Sequence, residues 1–208
     1  MAIRDRVRKV KHLRNRNLIC VIEEPDLTVN VGTIIRNISA FGVDKLYVVG
    51  GDGSLKDFNT SRNNRKLASA SVGANKWVFV KNFKTTSECL DHLRKNNYII
   101  ATTSPHLIGK TNINLYKGDF TQKRLAVWFG NEARGVSSEA VQSSDFCINI
   151  PMGGIVESLN LGTSTGIVLS YISHQRLEFV FKNKKIRKGP VGLRAILLSS
   201  WDRFSKNA

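Results

Sequence analysis

A chain of 208 residues, 41% hydrophobic and 23% charged, can bury a substantial core and suits one globular domain with arms. Its charge is the unusual feature: 32 Lys and Arg against 16 Asp and Glu leave a formal net charge of +16. That excess points to a polyanionic partner, nucleic acid before an anionic membrane surface. No apolar run approaches the roughly 18–20 residues of a membrane span, and the basic N-terminus lacks the apolar core of a secretion signal. Cys20, Cys89 and Cys147 are scattered and lack CxxC spacing, which argues against a disulfide framework and a zinc site. A cytoplasmic protein with no metal and no membrane partner is expected.

Residues 4–17 carry seven basic side chains against Asp5, and Ile3, Val7 and Val10 predict a short amphipathic helix there. Residues 1–17 therefore read as a basic N-terminal arm. Leu18 to Ile22, LICVI, has the length and continuous apolar character of a buried strand. Pro25 and Asp26 mark a loop, and Asn30 is the expected N-cap of the next helix. Val31, Ile34, Ile35, Ile38 and Phe41 take its apolar face. Asn30, Thr33, Arg36 and Asn37 share the other. Gly42 stops the helix, and Lys45 to Val49 is a second strand. Strand–helix–strand within about 30 residues predicts a parallel pair.

A Gly/Asp/Ser loop over 50–60 leads to a short helix predicted over 61–70. Further elements follow in alternation: a strand over 77–80, a helix over 86–95, a strand over 98–101, a polar loop over 104–123 and a strand over 125–129. Ser137 or Ser138 caps another short helix. Phe146, Ile148 and Ile150 then alternate with Cys147 and Asn149 as a last strand, before Pro151 and Gly153–Gly154 turn the chain. Ser158 is a candidate cap for the helix that follows, in which Leu161, Val168, Tyr171 and Ile172 share a face and Gly162, Ser164 and Gly166 allow close packing. KNKKIRK, residues 182–188, is a second basic run, and the two runs hold eleven of the sixteen excess charges. Gly189–Pro190 opens a final predicted helix with Leu193, Leu197, Trp201 and Phe204 as its stripe. The fold class is α/β, a parallel sheet flanked by helices.

Candidate chemistry gathers where strands end. Gly130–Asn131–Glu132 follows a buried strand, Thr102 ends another, and the Pro/Gly turn before Ser158 ends a third, the position at which parallel sheets hold ligands. No GxGxxG, Walker loop or HExxH occurs, and His12, His92, His106 and His174 are dispersed, which disfavours a nucleotide-dependent enzyme using a phosphate loop. Arg36 stands alone on a polar helix face beside two asparagines that cannot neutralise it.

Three segments occur in a fixed order: NVGTIIRNISAFGVDKLYVVG, LAVWFGNEARGV and IPMGGIVESLNLGTSTGIVLSY. Together they resemble the three sequence motifs of the SpoU (TrmH-like) family of RNA 2′-O-ribose methyltransferases, of the SPOUT class, over roughly residues 18–175. The resemblance implies a C-terminal deep trefoil knot, a homodimer with shared active sites, and S-adenosyl-L-methionine as methyl donor. Carried over by position, it implies a cofactor site of Thr102, Gly130, Ile150, Pro151, Met152 and Leu159, and a catalytic centre of Arg36, Asn30, Glu132, Ser158 and Asn160. Residues 176–208 lie outside it as a basic segment and C-terminal helix. RNA is the implied substrate. A tRNA, methylated on guanosine, is favoured over ribosomal RNA because few residues precede the first strand, whereas many ribosomal members carry an N-terminal RNA-binding domain. A ribosomal RNA methyltransferase and a catalytically silent RNA-binding dimer remain the alternatives.

Overall fold

The computed structural model describes residues 14–26, 28–50, 65–106 and 111–183. The predicted helices at the two ends and the 50–60 loop after Gly50 lie outside the described residues. Strands β1 (Asn15–Glu23), β2 (Val43–Val49), β3 (Phe79–Phe83), β4 (Ile99–Thr103), β5 (Asn112–Asn114), β6 (Leu125–Phe129) and β7 (Phe146–Asn149) form one sheet in the order β3-β2-β1-β6-β4-β7-β5. Every pairing is parallel. The helices are α1 (Thr28–Ala40), α2 (Arg65–Ala70), α3 (Thr86–Lys95), α4 (Ser138–Ser143) and α5 (Leu161–Asn183). The main compact unit ends at Arg176, and the last residues of α5, from Leu177, belong to a second unit.

Both faces of the sheet are covered, which is why its strands read as unbroken apolar runs. From β1, Leu18, Cys20 and Ile22 enter one core, with Val31, Ile34, Ile35 and Ile38 of α1 and Leu161, Val168 and Ile172 of α5. Ile19 and Val21 point the other way, into a core with Cys89, Leu90 and Leu93 of α3 and Ala140 of α4. Gly42 ends α1 at φ 72°, a conformation open to glycine at little cost. Ser137 caps α4 by accepting from Ala140 N.

Three local expectations differ from the fold. Strand β3 starts at Phe79 because Val72 and Gly73 adopt positive φ and lead into a 3-10 turn, closed when Trp77 N donates to Ala74 O. The 104–123 segment contains β5, whose Asn-Ile-Asn sequence has little strand character. It is a strand because β7 offers it a hydrogen-bonding edge. Helix α1 begins at Thr28, two residues before Asn30, whose side chain is engaged elsewhere.

Candidate active site

Strands β1 and β6 lie side by side at the centre of the sheet, with Ile22 opposite Phe129. From β1 the chain turns to α1 on one face and proceeds to β2. From β6 it turns to α4 on the other face and proceeds to β7. The two exits diverge and leave a crevice at the carboxyl ends, the position where open parallel sheets bind ligands.

A chain of amides and one carboxylate occupies that crevice. Asn30 Nδ2 donates to Glu132 Oε1 at 2.5 Å, and Asp26 N donates to Glu132 Oε2 at 3.3 Å. Asn160 Nδ2 donates to Asn30 Oδ1 at 3.2 Å, which fixes the orientation of the Asn30 amide. Asn160 Oδ1 accepts from Gly162 N at 2.9 Å and Thr163 N at 3.3 Å, so Asn160, not Ser158, caps α5. Ser158 is exposed and makes no hydrogen bond among the described residues. Asn30 is thus tied at one point to two segments that lie 102 and 130 residues further along the chain.

Arg36 lies two turns along α1, exposed, and forms no ion pair or hydrogen bond among the described residues. Glu132 therefore orients Asn30 and does not hold Arg36. The guanidinium is left with all its donors available.

Next to these amides a cleft opens at the ends of β4 and β7, lined by Thr103, Ser104, Pro105, Ile148, Ile150, Met152, Ser158, Leu159 and Ser164. The candidates Ile150, Met152, Leu159 and Ser158 are in its wall, and Pro151 is exposed between two of them. Thr102 is fully buried beneath, donating to Ser144 Oγ at 3.3 Å, and the neighbouring Thr103 reaches the cleft. The sequence reading named Thr102, but the alternation of the strand turns it into the core and brings Thr103 to the cleft. Cys147, below the floor, has its thiol pushed up by burial and offers no nucleophile.

Gly130 begins the turn after β6. A Cβ there would stand 2.1 Å from the Gly135 carbonyl carbon, so the turn closes only on glycine. The sequence reading named Asn131 within the Gly130–Asn131–Glu132 turn but gave it no role, and it is the residue that stiffens this turn. Almost fully buried, it donates from Nδ2 to Glu24 O at 2.6 Å and accepts at Oδ1 from Ala133 N (2.8 Å) and Arg134 N (3.0 Å). A short polar residue after a strand-ending glycine is the signal that could have given it that role.

The cleft suits a small ligand with a polar edge and an apolar body. Its walls combine Ile, Met and Leu side chains with Thr103, Ser104, Ser158 and Ser164, and the main-chain N–H groups of residues 150 and 152–159 donate no hydrogen bond among the described residues. Free backbone donors beside apolar walls can grip a purine and an amino-acid moiety without a charged side chain.

A parallel sheet with a polar crevice at its switch point and an adjoining ligand cleft defines an α/β enzyme working at strand carboxyl ends. The sequence profile described as the SpoU rRNA Methylase family matches residues 17–170, and the chain belongs to that family. It is 31% identical over 173 residues to the tRNA (guanosine(18)-2′-O)-methyltransferase of Aquifex aeolicus, covering 83% of this chain and 76% of that one. With the protein of the same description in Thermus thermophilus it shares 29% over 177 residues, 85% and 84% of the two chains. Among solved structures, the A. aeolicus TrmH/SpoU tRNA modifying enzyme matches with a TM-score of 0.72 at 27% identity over 94% of this chain and 92% of that one. The SpoU methyltransferase AviRb from Streptomyces viridochromogenes, solved in complex with AdoMet, shares the fold, with a TM-score of 0.67 at 24% identity over 79% and 59%. Among the described residues no helix is long and apolar enough to cross a membrane.

Proposed function

We propose that this chain transfers the methyl group of S-adenosylmethionine to a ribose 2′-hydroxyl of tRNA, with guanosine as the favoured nucleoside. The observation that carries the reading is the Glu132–Asn30–Asn160 chain standing beside a cleft with free main-chain amides. The relatives named above make tRNA the favoured RNA. The protein acts in the cytoplasm as a homodimer, and Ile155 and Val156, both exposed beside the cleft, give a second copy an apolar contact. The C-terminal part of the 18–175 domain forms the knot. Insertion of β7 between the earlier strands β4 and β5 agrees with such threading. Residues 1–17 and 176–208 serve as basic flanking segments, the first overlapping the start of β1 and the second the end of α5.

Residues of the cleft wall hold the donor: Ile150, Met152 and Leu159 by apolar contact, and the main chain around Pro151 by its amides. Gly130 keeps the adjoining turn tight, and Thr102 supports the cleft from below. The bound donor supplies a methyl already activated on a sulfonium, so the protein's task is to place the 2′-hydroxyl in line and disperse its proton. Asn160 and Asn30 each retain an amide N–H for the ribose. Glu132 and the Asn160 cap hold those amides still, and Ser158 offers a hydroxyl at the cleft mouth. A guanidinium stays protonated in proteins, so Arg36 is a poor base. It binds the phosphate next to the target ribose and stabilises charge developing on the 2′-oxygen, while that phosphate takes the proton.

The test is incubation of the full chain with labelled methyl donor and unmodified tRNA or ribosomal RNA transcripts, followed by mapping of alkali-resistant ribose. Label on a 2′-oxygen of tRNA is the expected result. Label confined to ribosomal RNA would replace the substrate. No label, with RNA bound, would make the chain a silent binding module.

A further inference from the structure

The edge of the sheet farthest from the cleft carries lysines without counter-charges. Lys45 and Tyr47 of β2 face the α3 side, and their register partners on β3 are Phe79 and Lys81. Lys81 Nζ donates to His92 Nδ1 at 3.3 Å and lies 4.8 Å from the centre of the Phe83 ring. An ammonium can only donate, so His92 is the neutral tautomer, whose Nε2–H faces the Tyr47 hydroxyl at 3.3 Å. Lys95 follows His92 by one turn of α3. Among the described residues Lys45, Lys81 and Lys95 pair with no carboxylate. Burial, then these lysines, lower the His92 pKa.

Aromatic rings are exposed beside them: Phe79 at 56% and Trp77 at 41%. Arg14 donates to Trp77 O at 3.2 Å and pairs with Asp44 at the same corner, which adds a fixed guanidinium beside the Trp77 ring. Strand β3 is two strand spacings from β1, on the order of 10 Å, and the patch is on the face opposite α1. A single nucleotide in the crevice cannot span that distance, whereas a folded RNA can.

We propose that the β2–β3 edge is a second RNA-contact surface, on which Lys45, Lys81 and Lys95 neutralise phosphates while Phe79 and Trp77 stack on unpaired bases. It rests on the RNA-methylating reading above and adds to it a recognition site remote from the chemistry. Isolated rings set among lysines on a pleated edge fit a polynucleotide better than a lipid surface, which rewards a continuous apolar face.

The test compares the full-length wild type with the K45A/K81A/K95A variant on an unmodified tRNA transcript across a KCl series. The logarithmic salt slope should flatten by about 2–3, at roughly 0.7–0.9 for each phosphate no longer neutralised. The KM for tRNA should rise at least about tenfold, with kcat at saturating RNA and donor affinity unchanged. Phe79→Ala should weaken binding about 5-fold or more without altering the slope. An unchanged slope and affinity in a triple variant with the wild-type thermal midpoint would overturn the surface. So would loss of binding to vesicles containing phosphatidylserine with RNA binding intact, which would make it a membrane contact. Should the triple variant misfold, each single Lys→Ala exchange must still flatten the slope by roughly 0.7–0.9. A wild type that neither binds nor methylates tRNA defeats the functional reading itself, a result distinct from both.

Discussion

Asn131 offers the sharpest test of how the crevice is held. Its side chain makes three hydrogen bonds, to Glu24 O, Ala133 N and Arg134 N, and its main chain makes two more, with Gly135 across the turn at 2.9 Å each. Asn131→Ala keeps the main-chain pair and removes the other three. At about 0.5–1.5 kcal/mol net for each, the loss is about 2–4 kcal/mol. For a domain of this size that lowers the thermal midpoint by roughly 5–15 °C. The turn that presents Glu132 also loosens, and a carboxylate displaced by about 1 Å can cost on the order of 10²-fold in turnover. The assay is single-turnover methylation at a temperature where the variant is folded, for Asn131→Ala, Glu132→Ala and the double variant. If Asn131 works through Glu132, the double variant should be no slower than Glu132→Ala alone. Independent, multiplying losses, or wild-type turnover in a folded Asn131→Ala protein, would refute the reasoning.

Arg36→Ala should lower turnover by about 10²-fold or more, because it removes one preorganised donor aimed at developing charge. Donor affinity measured by calorimetry should be unchanged, since Arg36 is not in the cleft wall. Gly162→Val places carbon 2.8 Å from Thr33 Cγ2 and 3.1 Å from Asn160 Oδ1, and should prise α5 from α1 at about 1–3 kcal/mol. Gly153→Ala meets nothing within 4 Å and should leave the thermal midpoint unchanged. His92 has its folded pKa lowered from 6.5 by burial and by Lys81, Lys45 and Lys95, so the folded state binds its proton less readily than the unfolded chain. Stability should be fully present above pH 6.5 and fall as the pH drops below it toward the folded value. Urea midpoints across that window should show the loss, and His92→Gln should flatten it.

Where a side chain's role depends on its nearest neighbours along the chain, the sequence was readable. The apolar faces of α1 and the first two strands, the Gly42 stop, a serine cap at 137 or 138 and the span of α3 all come from periodicities of two and 3.6 and from local turn chemistry. The family motifs also sufficed to nominate Asn30, Glu132 and Asn160 together. Periodicity could not supply their partners, because an asparagine at position 30 is as good an N-cap as it is a ligand for a carboxylate 102 residues away. The same limit made Ser158 rather than Asn160 the expected cap, and hid β5, whose strand character comes from the edge of β7.

The sequence by itself determined which segments bury apolar surface, in what alternation, and therefore that the sheet is parallel, because these are short-range consequences of spacing. Only the tertiary structure decided that β1 and β6 become neighbours, that Thr103 and not Thr102 faces the cleft, and that Asn131 stiffens the turn bearing Glu132. The reason is physical: a hydrogen bond is directional over a few ångströms, and no local pattern records which distant segment will arrive within that reach.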